Sequence, residues 1–458
     1  MCYCRFLSVG FKVILGFSPP LRRILWVSVL ASLSFFGLQD MYDVFRDFAE
    51  YSDTVDVVLA RPPDGLAMPA VSFCNLNQVR RSVFCGDIVL NRSTASEWQQ
   101  KLCTDDGPLP IWLPEDEASD RKQFFKWVAE MQRRNEAMAE LLGHQREDMV
   151  VDCTINGASC NSASKLQLQM YGRYGNCYCF GCNMTYPPHK LQIINKASEG
   201  LQLLLNVEPE EYLSLSVEAG FVVAVHQAGV EVDFRKDGVF LPPYYTTFIS
   251  VTQSVQERLE PPYRNPCQPT WPEEYLQYVP EGHIYTSSAC KEMCAQMHVL
   301  KTCKCQSHDY VILDRSLANI CLEEDEATDA CIAGVASKIM SMEIHCPCLP
   351  SCSSITYTQK VSSLQWTKYS DPRKEPTMSK RMLAKVFVYF ATTQVEWRRH
   401  DPKLTVNLLV SNLGSTVGMY IGMSFLHMFN VADIITRAGI VLYKQKMRNS
   451  NRSGKRAY

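Results

Sequence analysis

Residues 408–424 read LLVSNLGSTVGMYIGMS. They lie within a longer run, Leu404 to Val431, in which 28 consecutive residues include no Asp, Glu, Lys or Arg. That is long enough to cross a bilayer, for which about 20 predominantly apolar residues suffice. Its composition is unlike a lipid-facing anchor, because Ser411, Asn412, Gly414, Ser415, Thr416, Gly418, Gly422 and Ser424 interrupt the apolar residues. Small and polar residues inside a membrane segment usually face other helices or a water-filled path. Gly414, Gly418 and Gly422 recur every four residues and would share one helix face. Close helix packing without a pore is the competing reading of that stripe.

A second apolar run lies near the other end. Ile24 to Leu38 reads ILWVSVLASLSFFGL, fifteen residues without a charge, entered through Leu21-Arg22-Arg23. A secretory signal core would have this length, but 23 residues precede it and the following Gln39-Asp40-Met41-Tyr42 lacks the small residues of a cleavage site. Met41, Val44, Phe45 and Phe48 continue an apolar stripe at helical spacing, so a helix can run on past the uncharged core.

Charge fixes the orientation expected of the two spans. The 458 residues carry 46 Lys plus Arg against 48 Asp plus Glu, a net charge of -2 that offers nucleic acid no global basic field. The near-neutral sum hides a segregation: Arg5, Lys12, Arg22 and Arg23 at the start, and seven basic residues from Arg437 to Arg456, stand without any acid. Two basic ends around an acidic body predict both termini on the cytoplasmic side and a loop of about 360 residues outside. With 46% apolar and 21% charged residues the chain is neither disordered nor collagen-like. Of the 20 cysteines, Cys2 and Cys4 sit in the basic N-terminus and 18 fall between Cys74 and Cys352, which reads as up to nine disulfides in an oxidising space. Sequons at Asn91 and Asn183 lie in the same stretch and predict glycosylation; a third, at Asn451, lies in the basic tail.

Within that loop, alternation at Leu201, Leu203, Leu205 and Val207, and at Val223, Val225, Val230, Val232 and Phe234, predicts antiparallel strands with one covered face. Residues 119–147 predict one amphipathic helix, capped by Ser119, with Phe124, Val128, Met131, Met138, Leu141 and Leu142 on its apolar face. Cys290 and Cys294 would share a helix face, and Cys346 and Cys348 a strand face. Such clusters read as a ladder of bridges or as a zinc site, and outside the cell oxidation is favoured over zinc.

Met68-Pro69-Ala70-Val71-Ser72-Phe73-Cys74-Asn75 after the first span resembles the F-P-A-V-x-x-C-N that opens the ectodomain of the degenerin, epithelial sodium channel and acid-sensing ion channel superfamily. Tyr174-Gly175-Asn176-Cys177-Tyr178 is similar to its Y-G-x-C-Y, and Gly200-Leu201 through Glu211-Tyr212-Leu213 to its G-L-x run ending in E-Y-L. Ser411-Asn412-Leu413-Gly414, followed by Gly422-Met423-Ser424, resembles the second span of epithelial sodium channels, and the resemblance covers nearly the whole chain.

The resemblance implies an α+β membrane protein, trimeric, with two transmembrane helices per subunit and a disulfide-rich extracellular domain of palm, β-ball, finger, knuckle and thumb. In this chain that gives a cytoplasmic N-terminus with a re-entrant segment over 1–20, a first transmembrane helix over 21–48 and an extracellular domain over 49–403. The finger would fall at about 78–150 and the thumb at about 285–352, followed by a second transmembrane helix over 404–440 and a cytoplasmic tail over 441–458. The implied pairing is Cys74–Cys177, Cys153–Cys160, Cys267–Cys352, Cys290–Cys348, Cys294–Cys346, Cys303–Cys331 and Cys305–Cys321. Cys85, Cys103, Cys179 and Cys182 fall outside the pattern, with connectivity open.

The implied roles follow the motifs. Gly422, Met423 and Ser424 would form a selectivity belt, where carbonyls and hydroxyls replace part of a cation's water shell. Ser411, with Gly414, Ser415 and Gly418, would line the gate, Ser411 standing at the degenerin position. Asp433 would form an acidic ring at the inner mouth, with Asn430 where acid-sensing channels carry a glutamate. Ser8-Val9-Gly10 stands where the family has a re-entrant His-Gly pair, the histidine replaced by Val9. Glu323, Glu324, Asp325, Glu326 and Asp329 form an acidic run in the thumb, either a proton-sensing pocket or a solvated loop. Tyr51-Ser52-Asp53 lacks the histidines that follow the first span in acid-sensing channels, which ranks proton gating below constitutive or ligand gating.

The expected function is therefore a plasma-membrane, sodium-permeable, amiloride-sensitive channel subunit, constitutive or opened by an extracellular peptide or other ligand. It would form a homotrimer, or a heterotrimer with related subunits, in membrane lipid. A proton-gated channel and a non-conducting cysteine-rich receptor are the alternatives. No enzyme is expected, because no nucleophile and base pair, phosphate loop or metal spacing survives inspection; Na⁺ is expected only as the permeant ion, with no cofactor or bound metal.

Overall fold

A computed structural model describes residues 19–63, 65–86, 93–103, parts of 120–131, 136–161, 165–182 except 172, 190–191, 200–279 except 217 and 231, 283–307, 310, 321, 326–367, 381–422 and parts of 433–444. The chain forms two compact units, one built from residues up to Val55, Pro261–Asn265 and the chain from His400 onward, the other from Asp56–Glu260 and Pro266–Arg399.

The first unit is helical. Helix α1 spans Pro20–Ala49, with proline at its first position, where the missing N–H costs nothing, and Glu50 closing it by donating to the Arg46 carbonyl. At about 1.5 Å per residue its 30 residues reach roughly 45 Å. Among the described residues it is the one helix long and apolar enough to cross a membrane. Farther along the chain, a 16-residue helix spans Val406–Ile421, about 24 Å, capped by Thr405, whose hydroxyl accepts from the Leu408 N–H at 3.3 Å. It is shorter than the 404–440 helix expected, because Gly422 ends it in the left-handed conformation, φ 69°. The chain is helical again over 435–441.

The described chain also holds two sheets. In one, β1 (Asp53–Ala60), β15 (Val395–Pro402), β12 (Tyr245–Glu257), β14 (Leu383–Phe390), β9 (Leu201–Asn206), β4 (Val150–Ile155) and β5 (Ala158–Ser159) follow in that order, with β13 (Ser353–Gln365) on β12. The other runs β11 (Gly238–Leu241), β10 (Phe221–His226), β3 (Ala70–Asn75), β7 (Gly175–Phe180), β6 (Leu166–Tyr171). β2 (Leu66–Ala67) and β8 (Lys190–Leu191) form a small separate pair. Leu201, Leu203 and Leu205 of β9, Val386 and Val388 of β14, and Phe73, Phe221 and Val223 of the second sheet share one fully buried core. The alternation read from 201 to 207 is thus the pleat of a half-covered strand. A second core gathers Val79, Phe84, Phe124, Val128, Leu142 and Leu213, most of them in the stretch expected to be the finger.

Helix α2 (Ser287–Cys303) and helix α3 (Glu326–Met340) pack together in the stretch expected to be the thumb, and the helix over Val406–Ile421 is hereafter α4. Cys290 and Cys294 share the buried face of α2 and bond to Cys348 and Cys346; Cys267–Cys352, Cys303–Cys331 and Cys305–Cys321 complete the ladder. Outside the thumb the bridges are Cys74–Cys177, Cys153–Cys160, Cys85–Cys103 and Cys179–Cys182.

Three local expectations differ. The helix expected over 119–147 stops at Leu142, and a separate turn forms at Arg146–Met149. Gly143 sits where an added Cβ would come within 2.3 Å of the Asn176 side chain, so a packed neighbour takes the space a continuing helix would need. Ser119 lies outside the described residues. Among the described residues of 230–234 no strand forms: Val230 donates to the Gln227 carbonyl in a turn, and Phe234 packs edge-on against Tyr171 and Tyr174, burying in a cluster what a strand would have buried in a sheet. Cys346 and Cys348 lie outside any strand, in a tight turn where the Cys348 N–H donates to the Cys346 carbonyl at 2.8 Å, held by their two bridges.

Candidate functional site

Helix α4 has two faces, and they do different work. A helical residue advances about 100°, so Leu409, Leu413, Thr416 and Tyr420 fall on one side and Ser411, Ser415, Gly418 and Gly422 on the opposite one. The first side meets α1. Leu409 is buried, the Tyr420 ring lies against Gly37, where an added Cβ would come within 3.2 Å, and the Tyr420 hydroxyl donates to the Asp40 carboxylate at 2.7 Å. Ser411, Ser415, Gly418 and Gly422 are exposed on the single chain, and Gly414 is half-buried beside them. A helix with one apolar side committed to its neighbour and a small, polar side uncovered can bring its backbone and hydroxyls close to an ion or to a second helix.

Gly422 closes this face. Its N–H donates to the Gly418 carbonyl at 3.0 Å, and no neighbour stands within 4 Å of where a Cβ would be. A helix that breaks at membrane depth leaves backbone groups that only protein or a water-filled path can satisfy. Met423, Ser424 and Asn430 lie outside the described residues, as do Ser8, Val9 and Gly10 at the other end. Asp433 is described and exposed, and its carboxylate accepts from the Arg437 guanidinium at 2.8 Å, four residues on. A ring of Asp433 carboxylates would thus carry its own counter-charges.

The C-terminal end of α1 and the N-terminal end of α4 are tied together within the first unit. Lys403 pairs with Asp47 near the end of α1 at 3.0 Å, and its N–H donates to the Ser52 carbonyl. Arg264 donates from its backbone to the Tyr51 carbonyl, and the Tyr51 and Tyr263 rings meet edge to face at 5.8 Å. Asp53 and His400, both nearly buried, bond at 2.5 Å, and this hydrogen bond holds the Asp53 carboxyl below the usual carboxylate range. Phe48, Tyr51, Tyr263, Pro402 and Leu404 line a cavity of about 310 Å³ at this junction. His400 escaped the sequence reading. The segment after the first span carries an acid where a histidine was sought, and a histidine 347 residues later completes the pair.

Two further histidines lie in the second unit, His144 buried and His226 half-buried. His144 donates from Nδ1 to Glu208 at 2.6 Å and accepts at Nε2 from the Asn77 amide at 3.0 Å, while Glu208 sits in the left-handed region at φ 56°. His226 stands beside Ser72 and the Cys179–Cys182 bridge, and burial pushes it down to about 4. Of the acidic run in the thumb, Glu326 opens α3 and Asp329 is exposed on it. Glu323, Glu324 and Asp325 lie outside the described residues, as do Asn91 and Asn183.

A family model described as amiloride-sensitive sodium channel matches residues 7–434. Acid-sensing ion channel 4-B of Danio rerio is 23% identical over 446 residues, covering 93% of this chain and 73% of that one. Acid-sensing ion channel 2 of Rattus norvegicus is 24% identical over 449 residues, covering 93% and 83%. Among solved structures, a cryo-EM structure of a proton-activated chloride channel aligns over 90% of this chain and 96% of its own at 6% identity and a TM-score of 0.29, too slight a likeness to bear on function.

Proposed function

The chain belongs to the amiloride-sensitive sodium channel family, and from that premise we propose that it is a sodium-permeable, amiloride-sensitive channel subunit whose pore is lined by the small-residue face of α4. It is an ion channel subunit and not an enzyme. The observation that carries the finer reading is the division of α4: Tyr420 and Leu409 are committed to α1, while Ser411, Ser415, Gly418 and Gly422 form an exposed face. Three copies meeting there, as a homotrimer or with related subunits in the plasma membrane, would bring Gly422, Met423 and Ser424 together as the belt that partly dehydrates Na⁺. Both basic termini would then be cytoplasmic.

Resting or ligand-evoked opening is the gating this reading favours. Proton gating is the second reading, and the buried His144–Glu208 pair together with the acid-sensing relatives supports it. Voltage clamp of oocytes expressing the chain alone tests the proposal. A Na⁺ current at neutral pH that amiloride removes is expected at rest or on adding ligand. A current appearing only on acidification would favour the second reading. No current from surface-expressed chain, even with Ser411→Trp, would overturn both.

A further inference from the structure

Cys179 closes β7 opposite Ser72 of β3, and Gly181, at φ 77°, turns the chain back so that Cys182 reaches it. The turn brings Cys182 beside the end of β10. There His226 Nε2 lies 3.9 Å from Cys182 Sγ and 2.9 Å from Ser72 Oγ. The Nδ1–H of His226 donates to the Gln227 carbonyl at 3.0 Å, which fixes the tautomer and leaves the Nε2 lone pair to accept from the Ser72 hydroxyl, with Cys182 Sγ the next neighbour. A metal-bound histidine characteristically has its other ring nitrogen held in this way. The two Sγ atoms and the imidazole nitrogen all fall within 4.8 Å of one another. A tetrahedral zinc ion with bonds of about 2.3 Å to sulfur and 2.0–2.1 Å to nitrogen sets its ligand atoms about 3.5–4 Å apart.

Of the nine bridges in the described residues this one closes the shortest loop, a separation of 3 against 7 to 103 for the others. The unfolded-state constraint a disulfide supplies grows with the logarithm of its loop, so opening this bridge costs the fold least. Cys182 is also partly exposed, as are Cys85, Cys103, Cys303 and Cys331 in their longer loops, whereas Cys153 and Cys160, which close the next shortest loop, are fully buried. A C-x-x-C pair that a solvent thiol can reach is the usual form of a redox-active dithiol.

We propose that Cys179, Cys182 and His226 form a redox-gated site for a soft divalent cation of the zinc and cadmium class, closed while the bridge is formed and open once it is reduced. The reductant is a low-molecular-weight thiol. Its thiolate attacks Cys182 Sγ, breaking the S–S bond and releasing the Cys179 thiolate; a second thiol then resolves the mixed disulfide. Two thiols are oxidised to one disulfide as the protein bridge gains two electrons and two protons. The cation displaces those two protons from the cysteines and takes the His226 Nε2 lone pair as its third ligand, breaking the hydrogen bond from Ser72.

The test uses the purified full-length chain in lipid nanodiscs, titrated with dithiothreitol, alkylated, and read by peptide mass spectrometry. Cys179 and Cys182 are expected to be labelled first, while the thumb cysteines stay protected. Cd²⁺ alone, added to the mildly reduced chain, is expected to bind one ion per subunit with a thiolate-to-cadmium absorption band and to shield both cysteines from alkylation. His226→Ala should weaken Cd²⁺ binding by at least about tenfold, and Cys179→Ser with Cys182→Ser should abolish it. Labelling of this pair no earlier than the others would overturn the proposal, as would Cd²⁺ affinity unchanged by His226→Ala. If His226→Ala fails to fold, an absence of Cd²⁺ shielding in the parent chain overturns it by itself.

Discussion

Asp53 and His400 make the outer junction an electrostatic clasp. Because the hydrogen bond from His400 holds the Asp53 carboxyl below its ordinary value near 3.8, the carboxylate stays ionised through the range in which acid gating operates. The stabilisation it adds is present above pH 4 and is lost only as pH falls below the ordinary carboxylate range. Acidification from pH 7 to pH 5 should therefore leave the pair closed, which infrared bands of the Asp53 carboxylate, assigned with Asp53→Asn, would report. Ser411 acts on the opposite side of its helix from the α1 contact, exposed and small. Ser411→Trp places an indole on the proposed axis, and the resting Na⁺ current should rise by at least about tenfold, an equilibrium shift of about 1.4 kcal/mol. An unchanged current with normal surface expression would remove Ser411 from the gate.

At the scale of elements, the break in α4 is the feature with the clearest consequence. Gly422 stands at φ 69° with open space around it, so an added Cβ meets no neighbour and only the left-handed backbone opposes it, at about 1–2 kcal/mol. Gly422→Ala should favour a straight helix and change the Na⁺ to K⁺ permeability ratio without loss of surface protein; an unchanged reversal potential would count against a role in the belt. The long apolar helix α1 was legible because a run such as Ile24–Leu38 has few other uses, and β9 because its pleat follows the alternation of Leu201, Leu203 and Leu205. The missed elements depend on partners far along the chain. Gly143 ends its helix against Asn176, Phe234 trades a strand for Tyr171 and Tyr174, and Asp53 finds His400. Periodicity carries no information about such contacts, and a C-x-x-C pair outside the family pattern, such as Cys179 and Cys182, gives no connectivity until the turn at Gly181 is seen.

For the molecule as a whole, buried histidine sets an acid limit on stability. With the Cys179–Cys182 bridge closed, His226 resists protonation until about pH 4, whereas the unfolded chain protonates it near 6.5. The unfolded state therefore binds more protons between those values, and stability falls as pH drops across them, by roughly 3 kcal/mol in total from this group. His226→Gln should flatten that part of the profile in thermal unfolding of the solubilised chain; an equally steep profile would assign the acid sensitivity elsewhere. The same molecule must also conduct. The most direct measurement is cysteine accessibility along α4 in oocytes, in the Ser411→Trp background, with a cationic thiol reagent applied during an amiloride-sensitive Na⁺ current. The account predicts rapid block of Ser415→Cys and Gly418→Cys and none of Leu413→Cys or Thr416→Cys, which face α1. Equal modification of both faces, or no cation current from surface-expressed chain, would contradict it.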